Sequence, residues 1–355
     1  ATGQGKRKRQ AMEEDRRVTI KDIAERLGVS TATVSNVIHG KTKKISAATV
    51  SRVQQELEES GYIPNMAAVL LAQNTSRIVC VVLSDDKRYE GKMLEDPFVS
   101  GVLNGLSKEL KKRNYFMMIQ EERDMGRVVQ YASMWNMAGL VLIGYCEQDY
   151  ETLRSRMHIP FVVLDSYKKQ MRHFSDAGLD NLAGGELAGR YLWEKGHRKV
   201  MYLADNREEC DLDRYKGMCR VFREKGVVCG DGDYQLVSCY REERLKDMNR
   251  ICGTYFVGQK GYTAVFCASD LYAIEFMRVL QDRGVEIPKD VSVMGFDGIP
   301  AGGMVRPALT TVKQDLEERA GMAVRLLEEL MEGGTGRSEL AGVALVERES
   351  VGSVF

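Results

Sequence analysis

The sequence predicts an all-α N-terminal helix-turn-helix domain followed by an α/β body of two Rossmann-like subdomains. Three observations carry that prediction. Between Val18 and Gly61, apolar residues recur at helical spacing in three short, capped segments. From Ile78 onward, β-branched runs alternate with amphipathic helical stretches, the pattern of parallel sheets covered on both faces. At 355 residues, the chain is too long for one small core.

In the first segment, Thr19 stands three residues ahead of Asp22 in capping-box form, and Ile20, Ile23, Ala24 and Leu27 share one helical face. Gly28 stops this helix, and Ser30 is placed to cap a second from about Thr31 to Ile38. Val34, Val37 and Ile38 point inward there, leaving Thr31, Ala32, Thr33, Ser35 and Asn36 outside. A third helix starts at Ser46 and closes at Gly61. Two helices joined by a tight glycine-containing turn, the second opening with short polar residues, describe a DNA-reading unit. Thr31 and Asn36 suit hydrogen bonding to base edges and Ala32 suits a thymine methyl. Lys43, Lys44, Thr19 and Ser30 suit phosphates, which orient a protein without reading sequence. A generic three-helix bundle with a polar face is the alternative.

Charge agrees with a DNA partner although the net charge is zero. Residues 1–77 hold 13 Lys and Arg against 8 Asp and Glu, a surplus of +5, so the remainder carries −5. Residues 1–17, with Lys6-Arg7-Lys8-Arg9, have no apolar periodicity and are expected to be a disordered basic arm. Eight cysteines without a C-x-x-C pair and four dispersed histidines predict reduced thiols, with no disulfide framework or metal site. With no membrane-length apolar run and no signal-peptide core, the expected location is the cytoplasm.

The body's strands are expected at Ile78–Leu83, Phe116–Ile119, Leu140–Ile143, Phe161–Leu164, Val200–Leu203, Ala264–Cys267 and Val291–Met294. Helices are expected at Val99–Lys112, Leu182–Lys195, Tyr215–Glu224 and Leu271–Asp282. Ligands of such sheets bind outside the carboxyl ends of the strands. Asp165, Asp270 and Asp297 stand at such ends, where a carboxylate serves either catalysis or hydrogen bonding to sugar hydroxyls. The chain has no G-x-G-x-x-G after a strand, no P-loop, no H-E-x-x-H and no G-x-S-x-G, so the usual enzyme classes lack their signatures and no cofactor is expected.

The run VTIKDIAERLGVSTATVSNVIHG from Val18 to Gly40, continued by ISAATVSRVQQELEESGYIPN, resembles the N-terminal signature of the lactose-repressor (LacI/GalR) family almost residue for residue. The likeness continues at Asp180-Asn181, Gly184-Gly185, KGHRKV from Lys195, Arg214-Tyr215-Lys216-Gly217, TAVFCASDLYA from Thr263, VSVMGFDG from Val291 and PALTTV from Pro307. It implies a periplasmic-binding-protein-like (type I) body, a homodimer and a double-stranded operator read by Thr31, Ala32 and Asn36. It also implies a hinge helix of Pro64, Asn65 and the short apolar run to Leu71, with Leu71 as a minor-groove wedge. The effector implied is a sugar or sugar derivative, gripped by Arg214 and Asp270, with Asp165, Phe98 and Tyr240 around it. Ser269 and Glu275 depart from the residues many members show. Glu208 and Cys210 stand where purine-sensing relatives grip their ligand, which argues against a purine.

The expected division is therefore an arm over 1–17, a DNA-binding domain over 18–62 and a hinge over 63–74. One subdomain of the body is expected over 75–177 plus 305–331, the other over 178–304 plus 332–355. No leucine heptads follow the last expected strand, so a dimer is expected rather than a tetramer. The reading is a transcriptional regulator, a repressor, that is not an enzyme. Its rivals are a non-exported sugar-binding protein or an enzyme-like body fused to a DNA-binding module.

Overall fold

The computed structural model describes residues 18–38, 40–63, 76–84, 89–145, 147–165, 174–258 and 261–354. The basic arm and the hinge residues Pro64, Asn65 and Leu71 lie outside them. The chain divides into two compact units, residues 1–74 and 75–355.

The first unit contains α1 (Ile20–Leu27), α2 (Thr31–Ile38) and α3 (Ala47–Glu59). Thr19 caps α1 in the expected capping box: its backbone N–H donates to Asp22 Oδ2 at 2.8 Å and the Asp22 amide donates to Thr19 Oγ1. Gly28 ends α1 at φ 65°, a left-handed conformation that favours glycine. Ser30 Oγ accepts from the Thr33 amide at 3.1 Å and Ser46 Oγ from the Thr49 amide at 3.2 Å, so each following helix starts on a serine. Ile23, Ala24, Val34, Val37 and Val53 form the sealed centre of this small core. Arg52 closes the bundle by donating to the Leu27 carbonyl at 3.1 Å.

The described residues of the body form two six-stranded sheets. The first comprises β1 (Ile78–Leu83), β2 (Phe116–Glu121), β3 (Gly139–Ile143), β4 (Phe161–Leu164), β5 (Ser175–Leu179) and β11 (Ser338–Ala341), in the order β2-β1-β3-β4-β5-β11. The second comprises β6 (Val200–Ala204), β7 (Tyr234–Leu236), β8 (Ala264–Cys267), β9 (Ser292–Asp297), β10 (Thr310–Gln314) and β12 (Val343–Val346), in the order β7-β6-β8-β9-β10-β12. Both repeat one doubly wound pattern, parallel except for β12, which runs antiparallel to β10. The helices between strands are α4 (Pro97–Lys112), α5 (Met125–Met134), α6 (Glu147–Arg156), α7 (Asn181–Glu194), α8 (Glu209–Glu224), α9 (Arg241–Tyr255), α10 (Asp270–Asp282) and α11 (Leu316–Met331). Central strands are buried along their length, as at Val79–Leu83 and Leu140–Ile143, because helices cover both faces.

The chain crosses between the sheets at other places than the sequence suggests. β5 extends the first sheet to Leu179, β10 belongs to the second sheet, and β11 returns to the first. The crossings therefore fall near residues 180, 315 and 342, in place of 177, 304 and 331. The reason is pairing: Thr310–Lys313 runs beside Met294–Asp297, and Ser338–Ala341 runs beside Asp176–Leu179. Helix α11 packs on the first sheet and α4.

Candidate DNA interface and effector cleft

On α2 the side chains at positions 31, 32 and 36 are exposed while Val34 and Val37 are buried. Helix periodicity thus turns Thr31, Ala32 and Asn36 to one open face. Thr19, Ser30, Lys43 and Lys44 are exposed as well, at the start of α1, the start of α2 and in the loop before α3. Thr19 and Ser30 also cap helices, so they bring helix N-termini with them, where backbone N–H groups favour phosphate.

In the body, the carboxyl ends of the two sheets meet around a group of polar side chains. Arg214, on α8, is placed by a backbone contact between α7 and α8. A Cβ at Gly185 would lie 1.9 Å from the Arg214 carbonyl oxygen, and one at Gly217 2.1 Å from that of Leu182. The paired glycines allow the helices to touch and seat the arginine. Its Nε donates to Asn181 Oδ1 at 2.9 Å and its Nη1 to the Ala268 carbonyl at 2.5 Å. The guanidinium stacks 3.7 Å from the Phe296 ring centre. Burial opposes its charge, but Cys210, Asp297 and Asp211 outweigh that, so its pKa is raised.

Asp297 ends β9 at φ 117°, a strained backbone for a residue with a side chain and a mark of functional sites. Its Oδ1 accepts from Gln314 Nε2 at 2.8 Å. Burial raises its pKa; Arg214 opposes this, and Asp270 and Asp96 add to it. Asp165 also has left-handed backbone, at φ 61°, and its Oδ1 takes a 2.6 Å bond from Arg319 Nη2. Arg319 is wholly buried, donates also to Gln314 Oε1 at 2.6 Å and the Ala177 carbonyl at 3.1 Å, and lies 5.7 Å from the Phe98 ring. Asp165 and Phe98 from the first half therefore meet Gln314 and Asp297 from the second through Arg319.

Two expected site residues stand apart. Asp270 is 0% exposed. Its Oδ1 accepts from Thr311 Oγ1 at 2.5 Å and its Oδ2 from the Ile299 amide at 2.8 Å. Both oxygens are thus engaged inside the protein, where they tie α10 to β10 and to the loop after β9. Tyr240 stands just ahead of α9, makes no capping bond with its side chain and is 37% exposed. No hydrogen bond or ring contact joins it to Arg214 or Asp297 among the described residues. Nothing in the local sequence pattern marks Gln314 or Arg319 as site residues. Asp297 was noticed only as a strand-end carboxylate.

No group of His, Cys, Asp and Glu that could hold a metal ion occurs among the described residues. No helix there is long and apolar enough to cross a membrane.

An exposed reading helix and a two-sheet body with a polar cleft define a DNA-binding regulator with a sensor domain. Comparison with known proteins agrees. Residues 19–65 match the family described as bacterial regulatory proteins, lacI family, and residues 190–351 match the periplasmic binding protein-like domain. The HTH-type transcriptional repressor PurR of Erwinia tasmaniensis is 31% identical, over 94% of this chain and 96% of the relative. The HTH-type transcriptional regulator MalR of Clostridium butyricum is 27% identical, over 94% and 98%. Among solved structures, the lac repressor dimer bound to operator and the anti-inducer ONPF superimposes with a TM-score of 0.80 at 22% identity, covering 95% of this chain and 100% of that one. A complex of the transcriptional regulator CelR with cellobiose gives 0.68 at 24%, covering 94% and 100%. The chain belongs to the LacI family of bacterial regulatory proteins and is a transcriptional repressor with a DNA-binding domain, not an enzyme.

Proposed function

We propose that this repressor acts in the cytoplasm as a homodimer whose two heads read the half-sites of an operator, and that a neutral, hydroxyl-rich effector in the cleft changes its operator affinity. The dimer is supported by the lac repressor neighbour, which was solved as a dimer on its operator. Thr31, Ala32 and Asn36 read bases, Thr19, Ser30, Lys43 and Lys44 hold phosphates, and Pro64, Asn65 and Leu71 form the hinge.

The observation that carries the effector assignment is the state of the two cleft arginines. Arg214 is committed to Asn181 and Ala268, and Arg319 to Asp165 and Gln314. Neither is a spare cation: Asp211 lies 3.9 Å from Arg214 and Asp165 lies 2.6 Å from Arg319. Such a site repels a phosphate and accepts from hydroxyls. Arg214, through its remaining N–H donors, and Asp297 grip the ligand, with Phe98 and Asp165 on the opposite wall and Tyr240 at the margin. Asp270 serves by holding the loop after β9 in place. A neutral sugar fits this chemistry, as does the solved CelR complex, which contains cellobiose.

The test is a thermal-unfolding screen of the full chain against neutral sugars, sugar phosphates and nucleosides. Ligand at 100 times its dissociation constant adds about 2.7 kcal/mol, a shift of several degrees. Hits among neutral sugars support the reading. Hits confined to phosphorylated compounds overturn it.

A further inference from the structure

Arg319 is a wholly buried cation on a helix that otherwise packs apolar residues against the first sheet. Its neighbours Glu317 and Glu318 are solvent-facing, and nothing in its local pattern calls for burial. Its bonds show a consequence. An arginine donates hydrogen bonds and accepts none. Gln314 is 3% exposed and its side-chain amide has one oxygen and one NH2, which could stand either way round. With Arg319 Nη1 at 2.6 Å, the amide oxygen must face the arginine, so the NH2 faces Asp297 and donates at 2.8 Å. On the far side, Asp165 Oδ1 and the Ala177 carbonyl hold the guanidinium in place. Its Nε–H has no acceptor among the described residues, so the position is kept despite an unmet donor.

We propose that Arg319 is a positioning residue that fixes the Gln314 amide so that Asp297 Oδ1 is always met by a donor, reserving Oδ2 for a polar group of the effector. The effector's contact with Asp297 is thereby confined to Oδ2, because Oδ1 is held by the Gln314 amide. This rests on the reading that Asp297 faces the effector, but the orientation itself is testable without any ligand.

The groups that face Asp297 are Arg214 of α8, Asp270 of α10, Asp96 ahead of α4 and Gln314 of β10. Of these, Arg214 and Gln314 favour the ionised form, while Asp270 and Asp96 disfavour it. Without Arg319, the Gln314 amide is free to turn and accept from a protonated Asp297, so its carboxyl holds its proton more tightly.

The experiment follows the Asp297 carboxyl carbon by NMR in the full chain labelled at aspartate, assigned by its loss in Asp297→Asn. Arg319→Met should raise the Asp297 titration midpoint by about one pH unit, a tenfold gain in proton affinity. Arg319→Lys, which still only donates, should stay within a few tenths of a unit of the parent. Arg319→Gln both donates and accepts, so it should shift upward like Met; it carries the test if the methionine variant does not fold. Gln314→Leu should also shift upward. An unchanged midpoint in folded Arg319→Met or Arg319→Gln would overturn the proposal, whether or not Gln314→Leu shifts, and so would a lysine variant that shifts as far as glutamine. Loss of the Arg319 charge alone would shift Arg319→Met by the same amount in the Gln314→Leu background, which would also overturn the proposal, whereas the amide mechanism predicts little further shift there. Failure of the cleft reading is distinguishable: Asp297→Asn would then keep its full effector response while the titration results stood.

Discussion

The Arg214 carbonyl oxygen lies where a Cβ on Gly185 would be, 1.9 Å from it. This overlap is with backbone, so no rotamer change relieves it, and α7 and α8 must separate to admit a methyl group. Gly185→Ala should cost on the order of 1–3 kcal/mol in stability through overpacking. It should also pull Arg214 away from Asn181 and Ala268, weakening effector binding more than a distant substitution of equal stability cost. Chemical unfolding paired with the ligand-induced thermal shift checks both effects.

Asp270, the first residue of α10, and Asp297, the last of β9, are expected to behave differently. Asp270→Ala strands the Thr311 hydroxyl and the Ile299 N–H, on the order of 1–3 kcal/mol for each group left unpaired. Its thermal midpoint should fall even without ligand. Asp297→Asn keeps an oxygen that accepts from Gln314 and puts an NH2 where Oδ2 stood, so the fold should hold while effector affinity falls. A stable Asp270→Ala protein with no effector response would restore Asp270 to the cleft.

These two residues show where sequence reading reached its limit. Ile78–Leu83, Phe161–Leu164 and Ala264–Cys267 were legible because buried parallel strands are written as short β-branched or apolar runs. Ser175–Leu179 was not, since Ser175 and Asp176 are buried polar residues satisfied by the chain 162 residues later, at Arg337 and Ser338. Asp270 and Asp297 look alike in sequence, and only the distant partner Thr311 tells them apart. Arg319 follows two glutamates and reads as one more surface charge. The head was legible throughout, because its caps and apolar spacing are local.

His197 supplies a pH-dependent contribution. Its ring is wholly buried between Thr263, 2.9 Å from Nδ1, and the Gly352 carbonyl, 3.1 Å from Nε2. The carbonyl requires Nε2 to donate, so a neutral ring accepts from the Thr263 hydroxyl at Nδ1. Burial lowers its pKa; the Gly352 carbonyl opposes this and Arg198 adds to it. The unfolded chain binds this proton more readily, near pH 6.5. The stability contribution is therefore full above that value and is lost as the pH falls through the lowered folded value. In urea titrations from pH 7.5 down to 5, the parent should lose stability that His197→Gln does not lose; parallel curves would remove His197 from the account.

On DNA, Asn36→Ala should relax base preference at one position of each half-site, at about 1–3 kcal/mol of discrimination. Lys43→Ala and Lys44→Ala should weaken binding to all sequences alike, each reducing the slope of log affinity against log salt by about one. Binding assays across a salt series on single-base operator variants separate the two behaviours. A uniform loss for Asn36→Ala would move it to the phosphate-contact group.

The most direct test of the central claim joins the two units in one titration. A duplex selected by the full chain from a random pool is bound with and without the compound that most raises the thermal midpoint, using the parent and Asp297→Asn. The account predicts that the compound changes operator affinity in the parent, while Asp297→Asn binds the duplex as tightly but no longer responds. A compound that stabilises the parent without changing its operator affinity, or an undiminished response in Asp297→Asn, would contradict it.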